Sequence, residues 1–272
     1  MKKILITGST DGIGKETAKK MAQKGHSIIV HGRSSSKIDR TKRELNNINS
    51  NPEYYSAEAD LSSQKEVIDL AKDLNERHKK IDVLVNNAGT YQNKLQLTED
   101  GIEKTLAVNY HSHFILTLLL LKLLENSQDP RIINVSSMVH APTIDVEDIW
   151  KPRHYDASSA YSDSKLCNIL FTFKLDELLD EKFSVNCLHP GVINTKLLKR
   201  GWGGGGSSVN KGAETSVYLA VTDEAADESG NYYVNKKKKR PSKSAFDKEL
   251  QNELWKKSID MIKYDIDVEK YV

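Results

Sequence analysis

Short apolar runs alternate with longer stretches of helical pattern along most of the chain. Ile4–Thr7, Ser27–His31, Tyr54–Glu58, Ile81–Val85, Arg131–Val135, Ser184–Leu188 and Asn231–Val234 read as strands, most of them apolar at successive positions. Between them Gly14–Lys24, Ser36–Leu45, Gln64–Glu76, Thr98–Leu124 and Ala157–Leu179 read as helices. In Gln64–Glu76, Val67, Ile68, Leu70, Ala71 and Leu74 form one apolar face, and Thr98 is placed to cap the long helix that follows it. Strands apolar on both faces, each followed by a helix, predict an α/β fold: a doubly wound parallel sheet of about seven strands with helices on both sides. No repeat or linker divides the chain, so one domain over 1–272 is expected, ending in a helical tail at about 242–272.

Two segments break the rhythm. Val139–Tyr155 is rich in Pro, His and acids, and Arg200–Asn210 carries Gly201 and Gly203–Gly206 around Trp202. The second is flexible by composition, and 192–212 is the expected substrate loop, because loops above the carboxyl ends of parallel strands face the ligand crevice. The apolar run after Lys2-Lys3 is too short for a signal peptide, and Phe114–Leu124 falls short of the ~20 apolar residues of a membrane span. Hence no transmembrane segment is expected.

Composition narrows this little further. A net charge of +2 gives no field that would select nucleic acid. Cys167 and Cys187 lack metal-ligand spacing and read as buried thiols, in keeping with a reducing, cytoplasmic compartment. His111 and His113 lie two apart on a helix and face opposite ways, so no metal site is expected. The basic run Asn235–Arg240 reads as a solvated loop, with a weak anionic-membrane or RNA contact as the sharper alternative.

The chemistry starts at Thr7-Gly8-Ser9-Thr10-Asp11-Gly12-Ile13-Gly14, between the first strand and the first helix. Glycines there let backbone approach a pyrophosphate, and the helix start offers unpaired amides to it. This Gly-x-x-x-Gly-x-Gly spacing resembles that of the short-chain dehydrogenase/reductase family, which implies a single Rossmann-type domain binding NAD(P). The second strand leads into Arg33 and Ser34, with no carboxylate to repel a 2′-phosphate. NADP(H) is therefore favoured over NAD(H). The resemblance further implies an adenine cradle at Asp60-Leu61 and a backbone track along the cofactor at Asn87-Ala88-Gly89.

Tyr161 and Lys165 stand at i and i+4 on one helix face, where an ammonium can lower a phenol pKa that is ordinarily ~10. Tyr161 would then pass a proton to or from the substrate oxygen, and Lys165 would also hold the nicotinamide ribose. By the resemblance, Ser137 is the serine that binds that oxygen, with Ser136 as fallback. Asn109 would hold a water linked to the lysine. Pro190, Gly191, Ile193 and Thr195 would orient the nicotinamide carboxamide. Within the family the chain looks most like the retinol-dehydrogenase-like branch, on Gly12-Ile13-Gly14-Lys15-Glu16-Thr17-Ala18, on Val108-Asn109-Tyr110-His111-Ser112-His113-Phe114, and on the long interval from Ser137 to Tyr161. Departures are the run Gly203–Gly206 and Asp11, a negative charge near the phosphates. The reading is NADP(H)-dependent carbonyl reduction or alcohol oxidation on a small or hydrophobic molecule. The alternative is a non-catalytic NADP sensor or scaffold. The helices around 114–124 and 161–178 are candidates for a homodimer contact.

Overall fold

The structure is a computed structural model that describes residues 1–266. In chain order it forms β1 (Lys3–Ile6), α1 (Gly12–Gln23), β2 (Ser27–Gly32), α2 (Ser35–Ile48), β3 (Tyr54–Glu58), α3 (Gln64–Arg77) and β4 (Val83–Asn86). There follow α4 (Lys104–Leu106), a π-helical segment (Ala107–His111), α5 (Ser112–Glu125), β5 (Arg131–Val135), α6 (Ala157–Leu178) and β6 (Ser184–His189). The chain continues through α7 (Lys196–Trp202), α8 (Val209–Val221), β7 (Asn231–Val234), β8 (Lys237–Lys239) and α9 (Lys248–Asp260). The strands form one sheet in the order β3-β2-β1-β4-β5-β6-β7-β8. Neighbours are parallel except β7 and β8. Alternation along β1 divides the core. Leu5 packs with residues of α3, α5 and α6 on one face, while Ile4 and Ile6 pack with α1, α2 and α8 on the other.

The sheet has an eighth strand that the apolar pattern did not reveal. Asn235 and Lys236 both take left-handed φ values, 51° and 61°, and this two-residue turn folds the lysine run back antiparallel on β7. The basic run is thus an exposed edge strand, with Lys236 paired to Glu214 and Lys238 to Glu228. Charged side chains on an edge discourage pairing with another chain.

The long helix does not start at Thr98. The left-handed φ of Gly101, 80°, closes a tight turn in which Thr98 Oγ1 accepts from the Ile102 amide, and Leu97 bridges to Glu103. Glu103 caps the helix instead, its carboxylate accepting from the Leu106 amide at 2.7 Å. Lys104–Glu125 is apolar and long enough to cross a membrane, but 83% of its most apolar stretch is buried inside the fold.

The helices nominated for a subunit contact are covered by the chain itself. Trp255 of α9 lies 5.0 Å from the ring of Phe114 and 6.0 Å from that of Phe171, and Ser258 bonds the hydroxyl of Tyr110 at 2.6 Å. Phe114 and Leu116 on α5, and Leu166 and Leu170 on α6, are fully buried within one chain. The segment 139–155 is also anchored, by Trp150 inserted against Tyr110 and His111.

The glycine run is a built turn. Gly203 ends α7 in the left-handed region, Gly204–Gly206 continue there, and Ser207 then bonds back to Val192 and Asn194. A Cβ on Gly206 would lie 2.5 Å from the Val192 carbonyl oxygen. Of the expected tail at 242–272, α9 is the helix, and 267–272 lie outside the described residues.

Candidate active site

Adjacent β1 and β4 send their chains to opposite sides of the sheet, which opens a crevice at their carboxyl ends. The glycine loop lines it. Gly8 and Gly12 have φ of 65° and 55°, open only to glycine at little cost. A Cβ on Gly14 would lie 2.4 Å from both Gly8 O and Asn87 Nδ2, so the loop closes on itself through a glycine contact. This cradle fits the pyrophosphate of a dinucleotide. Thr10 packs beside Gly32, and Ile13 packs on Gly212 at the start of α8. Ser9 turns away: its hydroxyl accepts from the His31 amide at 2.9 Å, and its own amide donates to the His31 carbonyl at 3.0 Å. Asp11 caps α1 by accepting from the Gly12 amide at 2.9 Å, and pairs with Lys196 at 2.5 Å. The Lys196 hydrogen bond holds its carboxyl below the ordinary range, and the pair offsets the negative charge that Asp11 brings to the loop.

At the adenosine end Arg33 is well exposed and meets Asp60 only at 3.4 Å, while the Ser34 hydroxyl bonds that of Ser36 at 3.0 Å. Asp60 accepts from the amide and hydroxyl of Ser62, each at 2.8 Å. Leu61 is a core side chain, buried under the sheet, so it offers only backbone to an adenine. Glu58, read from the sequence only as a strand end, accepts from the Ser35 amide at 3.1 Å and so occupies one first-turn donor of α2.

The Asn87-Ala88-Gly89 track hangs on Thr7. Thr7 Oγ1 lies 2.9 Å from the amides of both Asn87 and Ala88, and Asn87 Nδ2 donates to Thr7 O at 2.8 Å. A Cβ on Gly89 would sit 3.5 Å from Asn109 Oδ1 and 3.9 Å from Lys165 Nζ, ordinary contact distances that place this backbone directly beside both side chains.

Three chemical groups gather at the end of β5. Alternation along the chain separates the two serines. Ser136 points inward and donates to the Lys165 carbonyl at 2.6 Å, whereas the Ser137 hydroxyl accepts from the Val139 amide at 3.2 Å and faces the Tyr161 phenol, whose pKa it lowers. Lys165 is buried one turn further along α6, its Nζ 2.8 Å from Val135 O and 5.6 Å from the centre of the Tyr161 ring. Burial lowers the lysine to about 8. Burial also pushes the phenol up to about 12, against a smaller lowering by Ser137. In the protein alone the ammonium therefore does not lower the phenol, contrary to the expectation from i,i+4 spacing; Lys165 Nζ is directed at Val135 O.

Asn109 sits in the π-helical segment and is fully engaged. Its Oδ1 accepts from the Thr90 amide at 2.7 Å, and its Nδ2 donates to Thr90 O at 3.1 Å and Ser164 Oγ at 3.0 Å. Its carbonyl receives Asn168 Nδ2 at 2.9 Å and the His113 ring at 3.2 Å. With both carbonyl lone pairs taken, the geometry gives Asn109 an anchoring task, and the expected water on it has no place at that oxygen.

On the other wall, Gly191 has φ 102° and Pro190 precedes it, while Ile193 is buried against Gly191 and Gly212. Thr195 Oγ1 caps α7 by accepting from the Leu198 amide at 3.2 Å, and its methyl faces Gly12 across the crevice. Two aromatic residues complete the site. Trp202 meets the Tyr161 ring edge-on at 5.3 Å, and Tyr91 lies 5.8 Å from Tyr161 and 5.1 Å from Trp202. Sequence reasoning passed over Tyr91, and placed Trp202 only in the substrate loop; their meeting is a long-range fact with no local signal.

Residues 2–202 match the short chain dehydrogenase family. The chain is 36% identical to human retinol dehydrogenase 13, over 96% of this chain and 84% of that protein. In fold it is similar to an uncharacterized protein from Mycobacterium Paratuberculosis, with a TM-score of 0.80 and 30% identity over 97% of this chain and 94% of that one. It is also similar to the Pseudomonas aeruginosa RhlG/NADP active-site complex, with a TM-score of 0.69 and 25% identity over 85% and 93% of the two chains.

Proposed function

The chain belongs to the short-chain dehydrogenase/reductase family, in its retinol-dehydrogenase-like branch, and on that premise we propose that it interconverts a hydrophobic carbonyl compound and its alcohol with NADP(H). The observation that carries the proposal is the Tyr161 phenol facing the Ser137 hydroxyl, which lowers its pKa, with the Lys165 ammonium one helical turn away in the same crevice.

When bound, the nicotinamide supplies or accepts the hydride. Ser137 donates to the substrate oxygen and steadies the charge that develops there. Tyr161 is the proton donor in reduction and the acceptor in oxidation. Its high resting pKa keeps the phenol protonated, which suits it to donation. Lys165 stays charged at neutral pH and holds the ribose side of the crevice. Asn109 anchors Thr90 to the Ser164 hydroxyl, and so keeps the floor of the site against α6. Pro190, Gly191 and Ile193 wall the nicotinamide end.

Large apolar side chains stand exposed on the segments around the crevice: Met138 and Val139 directly after Ser137, Val192 after Gly191, and Trp202. They support a hydrophobic substrate, as does the name of the human relative. For the cofactor, Arg33 is free enough to turn from Asp60 to a 2′-phosphate, and Ser34 lies beside it. The test is oxidation of NADPH and NADH over a panel of aldehydes and ketones, by the wild type and by Tyr161→Phe. Turnover that Tyr161→Phe abolishes is expected. Cofactor binding with no turnover on any carbonyl would replace the enzyme by a sensor or scaffold.

A further inference from the structure

His113 is fully buried at the start of α5, beneath the cofactor crevice and outside the catalytic set. Its two ring nitrogens meet different elements. Nδ1 lies 3.2 Å from the Asn109 carbonyl, and Nε2 lies 2.9 Å from Thr7 Oγ1. Hydrogen-bond accounting settles the direction of both contacts. A carbonyl oxygen can only accept, so Nδ1 carries the proton. Burial drives the ring pKa down to about 3, and the Lys165 charge works in the same direction, so the ring stays neutral and Nε2 is an acceptor.

Thr7 is then determined as well. Its oxygen accepts from the Asn87 and Ala88 amides, each at 2.9 Å, which takes both lone pairs. Its own proton goes to Nε2 at 2.9 Å, in preference to Val85 O at 3.4 Å. One unbroken chain of donors therefore runs from the backbone beside the cofactor, through Thr7 and His113, to the carbonyl of Asn109. It joins the ends of β1 and β4 to the helix that carries Asn109.

We propose that His113 is a positioning residue, which orients the Thr7 hydroxyl so that the Asn87-Ala88-Gly89 track is held in register for the nicotinamide cofactor. This role presupposes the nicotinamide reading of the crevice, and NADPH binding by the wild type is the control that separates the two: no binding there overturns that reading first.

Glutamine and asparagine divide the two contacts of the ring. Gln presents an oxygen near the place of Nε2 and can accept from Thr7. Asn presents its amide near Nδ1 and restores only the bond to Asn109. NADPH affinity, read by cofactor fluorescence, is compared across His113→Gln, His113→Asn and His113→Phe, with thermal stability measured without cofactor. The expected result is about tenfold weaker binding for Asn and Phe, the scale of one buried hydrogen bond, and recovery to within about threefold for Gln. Stability need not follow that order. NADPH affinity of Asn equal to that of Gln or of the wild type overturns the proposal, since a merely structural histidine would not distinguish them. Should His113→Phe fail to fold, the Gln and Asn pair still decides. Thr7→Val adds a second measurement: it should weaken NADPH binding and cancel the difference between Gln and Asn, and a difference that persists in the double variants refutes the route through Thr7.

Discussion

Replacing Gly14 by alanine sets two ordinary effects against each other. Gly14 has helical backbone geometry at the start of α1, where alanine is favoured over glycine by about 1 kcal/mol. Its added methyl would, however, stand 2.4 Å from the Gly8 oxygen and 2.4 Å from Asn87 Nδ2, about 1 Å inside van der Waals contact. Neither neighbour yields cheaply. Gly8 O is backbone, and Asn87 is held by its bond to Thr7 O at 2.8 Å. Overpacking of this kind costs about 1–3 kcal/mol, and contacts of 2.4 Å against held neighbours take the upper part of that range, about 2–3 kcal/mol, so sterics should outweigh propensity and leave Gly14→Ala about 1–2 kcal/mol less stable. In a chain of this size that lowers Tm by about 2–8 °C. Because the intruding methyl pries Gly8 from Asn87, NADPH affinity should fall by at least about tenfold, more than stability alone implies. Gly12→Ala is the internal comparison. Its methyl meets only the Thr195 methyl at 3.7 Å, and its cost is the left-handed φ of 55°, about 1–2 kcal/mol. Chemical denaturation and NADPH titration of both variants give the test. A Gly14→Ala protein as stable as the wild type, with unaltered NADPH affinity, would refute the steric reasoning and with it the closed cradle.

Three further outcomes follow from the same geometry. Trp255→Ala removes the ring packed on Phe114 and Phe171 and should cost about 3–5 kcal/mol by urea unfolding; a loss under about 1 kcal/mol would mean that α9 is not part of the core. His31 and His111, both fully buried, are pushed down to about 4 chiefly by burial. The unfolded chain therefore binds more protons below about pH 6.5, and the stability present above that pH should be lost as pH falls toward 4; a Tm that is flat from pH 7 to 4 contradicts this. Arg33→Glu should shift cofactor preference from NADPH toward NADH by about tenfold or more in kcat/KM, and an unchanged ratio would remove Arg33 from 2′-phosphate recognition.

The parallel strands were legible because burial on both faces writes continuous apolar runs such as Ile4-Leu5-Ile6 and Val83-Leu84-Val85 into the chain. β8 was not, since an exposed edge of three lysines has no apolar alternation and is defined only by its pairing with β7. Thr98 looked like a helix cap by residue type alone; Gly101 two residues before Glu103 was the signal that the helix starts later. Tyr161, Lys165 and Ser137 could be placed because two lie a turn apart on one helix and the third ends a strand. Ser9 and Leu61 stand at their motif positions, but that their side chains turn into the protein has no local signal. His111 and His113 do face apart as helical geometry requires, one toward Ser258 and the other toward Thr7, and neither destination is written locally.

The seal that α9 makes over α5 and α6 sets an order of events during synthesis. Phe114, Phe171 and their neighbours leave the ribosome about 80 or more residues before Trp255 and Ser258 can cover them. For several seconds at ordinary elongation rates, a wide greasy surface beneath the Asn109 helix is open to chaperones and to other nascent chains. Early termination within α9 would make that transient state permanent, so a nonsense change there should be more damaging than its distance from the chemistry implies.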